Sequence, residues 1–296
     1  MEITFLGTGA MVPTAERNHC SFLLEFRDEG IMFDCGEGTQ RQLRKAKISP
    51  AKITKILISH WHGDHVLGLP GLVQTMAACE YSKTLEIYGP VGSKEFFSRM
   101  FNSFVLDAKI SIKVHEVTEG VFFENEWFRL EAKQLRHSSR CVAFAFIEKD
   151  RRRINMDYMK KFGLQQHPIM KELQNGKDIE WKGNKINADD ATFTVYGKKI
   201  VYVADTAICD NAVEISKNAD ILICESTLAE DMADKAEISR HLTSSQAAEI
   251  AKQAKVKKLV LTHFSPRYKS VAHMKEEAKK IFKRVSCAKD FMKIKL

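Results

Sequence analysis

Apolar residues fall in short runs closed by glycine, proline or polar turns, the pattern of brief strands with helices between them. Residues 3–6 form the first expected strand, ended by Gly7-Thr8-Gly9. Residues 21–26 and 31–34 give two more, residues 39–46 a helix, and residues 55–59 a buried strand. A helix is expected over residues 66–78, its early pattern broken by Pro70 and Gly71. Residues 85–88 make a strand ended by Gly89-Pro90, residues 92–104 a helix, and strand-like segments recur over 110–147. The second half pairs strands at 199–204, 220–224 and 258–262 with helices at 210–218, 243–254 and 272–282. Alternating elements with runs of consecutive strands predict the α/β class, with layered sheets and helices outside. Two such halves can pack as an αββα sandwich, although periodicity alone does not single out that fold.

Residues 149–190 break the rhythm. They are polar and irregular, and too long for a simple connection. We read them as an arm inserted in one domain spanning residues 1–296. Six basic residues lie between Lys149 and Lys161, including Arg151, Arg152 and Arg153, against Asp150 and Asp157. Such a cluster suits phosphate contacts, which position a nucleic acid without reading its sequence; a solvated charged loop is the plainer alternative.

The whole chain carries a formal charge of +8, which favours a polyanionic partner. Residues 252–295 alone hold 14 basic and 3 acidic residues, several of them on amphipathic helices where a solvated face is the simpler reading. A hydrophobic share of 44% excludes global disorder. The seven cysteines include no C-x-x-C pair and several sit in apolar runs, so buried free thiols in a reducing, cytoplasmic compartment are expected. The N-terminus reads as a strand rather than a signal peptide. No apolar run approaches the roughly 20 residues of a membrane span.

The strongest chemical signal is His60-Trp61-His62-Gly63-Asp64-His65, directly after a strand. Imidazole and carboxylate are the ligands of catalytic zinc. In an extended segment residues i and i+2 point the same way, so His60 and His62 can grip one ion while Asp64 and His65 face a second. Later strands end at His137, Asp205 and His263, each a weak signal alone. Taken in order, these elements resemble the metallo-β-lactamase superfamily with its H-x-H-x-D-H motif. The resemblance implies that His60, His62 and His137 hold one Zn2+, that Asp64, His65 and His263 hold another, and that Asp205 bridges them.

Finer motifs narrow the family. Phe5-Leu6-Gly7-Thr8-Gly9 with Arg17-Asn18, Phe33-Asp34-Cys35-Gly36-Glu37-Gly38-Thr39-Gln40, Gly68-Leu69-Pro70-Gly71 and His263-Phe264-Ser265-Pro266-Arg267-Tyr268 resemble ribonuclease Z over nearly the whole chain. That resemblance implies a zinc-dependent endoribonuclease acting on precursor transfer RNA, a homodimer, and an arm that grips RNA away from the cut. It places Asp64 as the group orienting water and His241 as the proton donor, positioned by Glu225. Arg17, Thr243 and Arg267, with the arm arginines, become candidates for RNA contact. Two departures stand out: Leu242 follows His241 where the family has serine, and the arm reads Gln166-His167-Pro168 where a Gly-Pro step is usual. A general metallo-phosphodiesterase on the same fold predicts turnover of small diesters without preference for precursor transfer RNA. A non-catalytic RNA-binding protein is disfavoured by the intact ligand set.

Overall fold

The computed structural model describes residues 1–106 and 110–296. They divide into a large unit, residues 1–123, 130–146 and 199–296, and a small one, residues 124–129 and 147–198. The small unit extends further in both directions than the arm expected at residues 149–190.

Two seven-stranded sheets are present among the described residues. The first runs Lys293–Lys295, Glu2–Gly7, Ser21–Phe26, Glu29–Phe33, Ile53–Leu57, Thr84–Pro90, Ser111–Val117. The second runs Val285–Cys287, Leu259–Thr262, Ile221–Glu225, Lys199–Val203, Cys141–Glu148, Phe128–Leu135, Gly120–Glu124. The period-2 alternation of strands decides the layering. Phe5 pairs with Phe22 and Phe22 with Phe33, so the three rings line one face of the first sheet. Tyr202 of the second sheet meets Phe22 and Phe33 edge-on at 5.2 and 6.0 Å, an arrangement favoured by the ring quadrupoles. The alternate residues Leu6, Leu23 and Met32 face the other way, against Leu43 of helix Thr39–Ala46 and Leu69, Leu72 and Met76 of helix Leu69–Ala78. On the second sheet, helix Ser244–Gln253 packs through Ala247, Ala248 and Ala251. The layers are those of the metallo-β-lactamase αββα sandwich.

The helix expected over 66–78 is two helices, Gly63–Val66 and Leu69–Ala78. The break follows from close approach. A Cβ at Gly68 would lie 2.1 Å from the Gly36 carbonyl oxygen, and one at Gly36 would lie 2.4 Å from that of Asp64. Neither glycine has a positive φ, so turn geometry does not explain them; they let two loops press together beneath the histidine motif. The last strand, Lys293–Lys295, pairs with the first (Ile3 beside Ile294) and is too short to show a pattern in sequence.

The small unit corrects the expectation of an irregular segment. Strand Arg151–Ile154 pairs with Thr192–Val195, and Met159, Leu164, Leu173, Ile186 and Ala191 form a buried core of their own. Arg152 is tied to Asp189 at 2.6 Å and to Thr192 at 3.0 Å. Arg151 and Arg153, on the opposite face of the strand, are exposed.

All seven cysteines are free, and Cys20, Cys35, Cys141 and Cys224 are buried while Cys79 is exposed. Burial pushes the Cys20 thiol up to about 12, leaving it protonated and unreactive at neutral pH. Iodoacetamide at pH 8 is therefore expected to label Cys79 within minutes and to leave the four buried thiols intact until denaturant is added. Mass spectrometry of the tryptic peptides checks this.

A candidate metal centre at the strand ends

The expected metal ligands and Glu225 sit at or just beyond the C-terminal ends of strands, whereas His241 lies between helices Ala233–Ser239 and Ser244–Gln253. His60 and His62 follow Ile53–Leu57, and His137 follows Phe128–Leu135. Asp205 follows Lys199–Val203, Glu225 closes Ile221–Glu225, and His263 follows Leu259–Thr262. Asp64 and His65 ride on the short helix Gly63–Val66. The last three strands run parallel side by side, which brings their ends to one edge of the sheet.

All seven expected ligands converge. His60, His62, His137 and Asp205 form one group whose ligand atoms lie within 4.8 Å of one another, and Asp64, His65 and His263 form a second. The Asp205 carboxylate lies between them, with Oδ2 3.6 Å from His60 Nε2 and 3.6 Å from His65 Nε2, and Oδ1 3.4 Å from His263 Nε2. His241 also falls near Asp205 and His263.

The outer partners of the rings decide which nitrogen carries a proton. His65 Nδ1 faces Asp34 Oδ2 at 2.8 Å and His137 Nδ1 faces the Arg240 carbonyl at 2.9 Å, so both nitrogens donate. Ser59 Oγ commits its proton to Asp34 and thus accepts from His60 Nδ1 at 3.0 Å. Thr227 Oγ1 commits its proton to Glu225 and accepts from His263 Nδ1 at 2.9 Å. Four Nε2 atoms therefore turn inward, and with the rings neutral each offers a lone pair. His60 Nε2 lies 3.0 Å from His62 Nδ1, and His65 Nε2 lies 3.2 Å from His263 Nε2.

Nitrogens this close repel unless a proton or a metal ion sits among them. Asp205 Oδ1 makes the same demand, being buried and accepting no hydrogen bond. Burial would lower His65, but Asp205 and Asp34 outweigh it and raise it well above the ordinary range, so these carboxylates favour a positive charge at this ring, a proton or a metal ion at Nε2. Burial would raise Asp64, yet His263 and His65, whose Nε2 atoms each lie 3.5 Å from Asp64 Oδ2, hold it below the carboxylate range when those rings carry charge. The pocket attracts positive charge, and nitrogen and carboxylate donors fit a borderline transition metal.

Asp34 is the residue that motif reading left without a role. It is fully buried, with φ at 53°, and accepts from His65, from the Ser59 N–H and hydroxyl, and from Tyr202 at 2.8 Å. In sequence it is a carboxylate closing an apolar strand, inside the Phe33-to-Gln40 motif that was given no chemical role. The Phe5-to-Gly9 motif supports the opposite side, since Phe264 N donates to the Thr8 carbonyl and Ala10 N to the Phe264 carbonyl, pinning the loop behind His263.

Facing the metal groups is a cavity of about 270 Å³, with His241, Arg267 and Lys235 among its lining residues. His241 Nδ1 donates to Glu225 Oε1 at 3.0 Å. Burial would lower this imidazole, but the Glu225 carboxylate outweighs it and pushes it up to about 9. Glu225 is fully buried and so positions His241 without meeting substrate.

Two of the candidates for RNA contact have structural roles. Thr243 is 1% exposed, and its hydroxyl caps helix Ser244–Gln253 by accepting from Gln246 N. Arg17 donates to the Tyr268 carbonyl and lies 5.9 Å from the centroid of the Phe264 ring, so it braces the His263 loop and does not line the metal cavity. Arg267 does line it. Lys235, unremarked in sequence, joins it from helix Ala233–Ser239.

Known proteins bear on this geometry. Residues 1–161 match a family model described as Anti-Pycsar protein Apyc1, and residues 169–264 one described as Beta-lactamase superfamily domain. The chain is 38% identical over 297 residues to the ribonuclease Z of Methanothermobacter thermautotrophicus, covering 100% of the chain and 97% of that protein. It is 40% identical over 298 residues to the ribonuclease Z of Pyrococcus horikoshii, covering 99% and 95%. The chain belongs to the ribonuclease Z family. Among solved structures, human tRNase Z, short form, matches with a TM-score of 0.73 at 30% identity, covering 100% of this chain and 99% of that one. Membership in the ribonuclease Z family agrees with a metal-dependent hydrolase site, and no helix among the described residues is long and apolar enough to cross a membrane.

If Asp34 fixes two ligand rings, Asp34→Asn should weaken metal binding by about 10–100-fold, as removal of outer partners does elsewhere. Tyr202→Phe, which keeps the carboxylate, should do far less. Competition with a chromophoric chelator measures both, and equal affinity of Asp34→Asn and the parent would refute the role.

Proposed function

We propose that this chain is an endoribonuclease that removes the 3′ trailer from precursor transfer RNA, using two Zn2+ per subunit. The observation that carries this reading is the pair of ligand groups joined by a buried, unsatisfied Asp205 inside a ribonuclease Z chain. One ion would be held by His60, His62 and His137, the other by Asp64, His65 and His263, with Asp205 shared. Two divalent ions supply acidified water and offset charge on the phosphoryl oxygens.

The chain's own residues do the rest. Asp64, fixed by the Met11 N–H at 2.8 Å, orients the attacking water. Lys235 and Arg267 draw the anionic diester into the cavity. As the P–O3′ bond breaks, His241 passes a proton from Nε2 to the departing oxygen while Glu225 holds Nδ1. The transfer RNA leaves with a 3′-hydroxyl and the trailer with a 5′-phosphate. Arg151 and Arg153 grip RNA phosphates from the small unit. We assign the protein to the cytoplasm on its free thiols, and a homodimeric state on its family resemblance.

End-labelled precursor transfer RNA with zinc should be cut once, at the 3′ side. His241→Ala should lower kcat by about 10²–10⁴-fold, the range for removal of a general acid, with zinc content unchanged. Full activity of that variant would remove His241 from the reaction. Equal turnover of small diesters and precursor RNA would favour a general phosphodiesterase.

Replacing both Arg151 and Arg153 with Ala should weaken RNA binding without changing the cut site. The slope of log affinity against log salt should fall by about 1 for each phosphate that is no longer neutralised. A filter-binding series over salt concentration measures it, and an unaltered slope would show that these arginines do not face RNA.

A further inference from the structure

His241 is held from two sides. Glu225 fixes its ring, and its backbone leaves a turn that closes helix Ala233–Ser239. Ala236 is the one buried residue of that helix, so packing alone holds it weakly. At the turn, Arg240 N donates to the Glu237 carbonyl at 3.2 Å and His241 N to the Ala236 carbonyl at 2.9 Å. Arg240 itself is left-handed, with φ 55° and ψ 51°. Glycine is favoured at such a helix end, so the turn does not need an arginine.

The arginine engages a metal ligand twice. Its Nη1 donates to the His137 carbonyl at 2.8 Å, and its own carbonyl accepts from His137 Nδ1 at 2.9 Å. A charged donor makes the stronger kind of hydrogen bond. The His137 and His241 ring centroids lie 5.1 Å apart. A second tie between the two segments, Arg136 to Glu237 at 3.6 Å, joins side chains that are 62% and 60% exposed, where an ion pair contributes little. The reciprocal pair therefore registers the residue before His241 against the strand end that carries His137.

We propose that Arg240 is a positioning residue for proton delivery. Its guanidinium, through the His137 carbonyl, sets how far His241 stands from the leaving oxygen. A proton donor must come within hydrogen-bond reach of that oxygen, and a displacement of about 1 Å can cost about 100-fold in rate. His137 Nδ1 is bonded to the main chain of Arg240, so that partner survives loss of the guanidinium. Metal binding should then persist while proton transfer fails. The inference rests on the reading of His241 as proton donor given under the proposed function.

The test varies the leaving group. Phenolate is helped by a proton as it departs, whereas p-nitrophenolate, a weaker base, departs without one. Arg240→Gly deletes the guanidinium at a backbone conformation that suits glycine; Arg240→Ala serves if that variant does not fold. Zinc affinity, measured by competition with a chromophoric chelator, should match the parent. At equal zinc content, kcat should fall about 10–100-fold on diphenyl phosphate and on precursor transfer RNA and stay nearly unchanged on bis(p-nitrophenyl) phosphate. Equal losses on both diesters, or weakened zinc binding, would place the effect at the metal centre and overturn the proposal. A raised KM for RNA at unchanged kcat would make Arg240 a phosphate contact and overturn it too, as would unchanged rates on every substrate. A parent that hydrolyses both diesters but no precursor transfer RNA overturns the ribonuclease reading, and the diester contrast still decides the role of Arg240. If the parent cuts RNA alone, sulfur in place of the bridging 3′ oxygen supplies the same contrast, since a thiolate departs without a proton.

Discussion

A buried carboxylate facing inward-pointing lone pairs is the constraint from which the rest of the site follows. Asp205 is 3% exposed, and its Oδ1 accepts no hydrogen bond. Four imidazoles turn Nε2 toward the same volume because their Nδ1 protons are committed elsewhere. Such an arrangement is stable only where a cation satisfies it. The outer partners are therefore part of the metal site. Without Asp34, Ser59 and Thr227, the rings could flip or exchange tautomers, and the lone pairs would no longer converge.

The two sheets have to be joined for this to work, because the ligands come from both. The same aromatic layer that packs Phe22 and Phe33 against Tyr202 delivers the Tyr202 hydroxyl to Asp34. A core contact and a ligand-orienting contact thus share one side chain. The glycines at 36 and 68 act at the same level. They let the loop after Glu29–Phe33 press against the backbone of the histidine motif, which sets where Asp64 and His65 stand.

What could be read in advance depended on whether the signal was local. H-x-H-x-D-H is six residues long, and its chemistry is visible without a fold. His137, Asp205 and His263 were legible because each closes a strand, and their order did the rest. The outer partners were not legible, since a buried Asp34 or Thr227 differs from any other polar residue only in what it touches. Thr243 and Arg17 show the converse case, structural roles that sequence position does not reveal. Position beside a motif suggested RNA contact, whereas one is a helix cap and the other a brace for the His263 loop. The small unit escaped because its elements are three to five residues long, too short for periodicity to register. Its core is built from scattered residues such as Met159, Leu173 and Ile186.

The departure at Leu242 can be weighed on the same grounds. Leu242 is fully buried, so this position offers no side chain to the cavity. The hydroxyl beside His241 belongs to Thr227, 3.2 Å from its Nδ1. Thr227 and the Thr206 N–H both donate to Glu225, which also receives His241. One buried carboxylate therefore fixes the proton donor directly, His263 through Thr227, and the loop after Asp205 through Thr206. Leu242 leaves every one of these contacts in place. The unit that matters for proton delivery is thus Glu225 with Thr206, Thr227 and His241, and the residue following His241 serves to anchor that loop in the core.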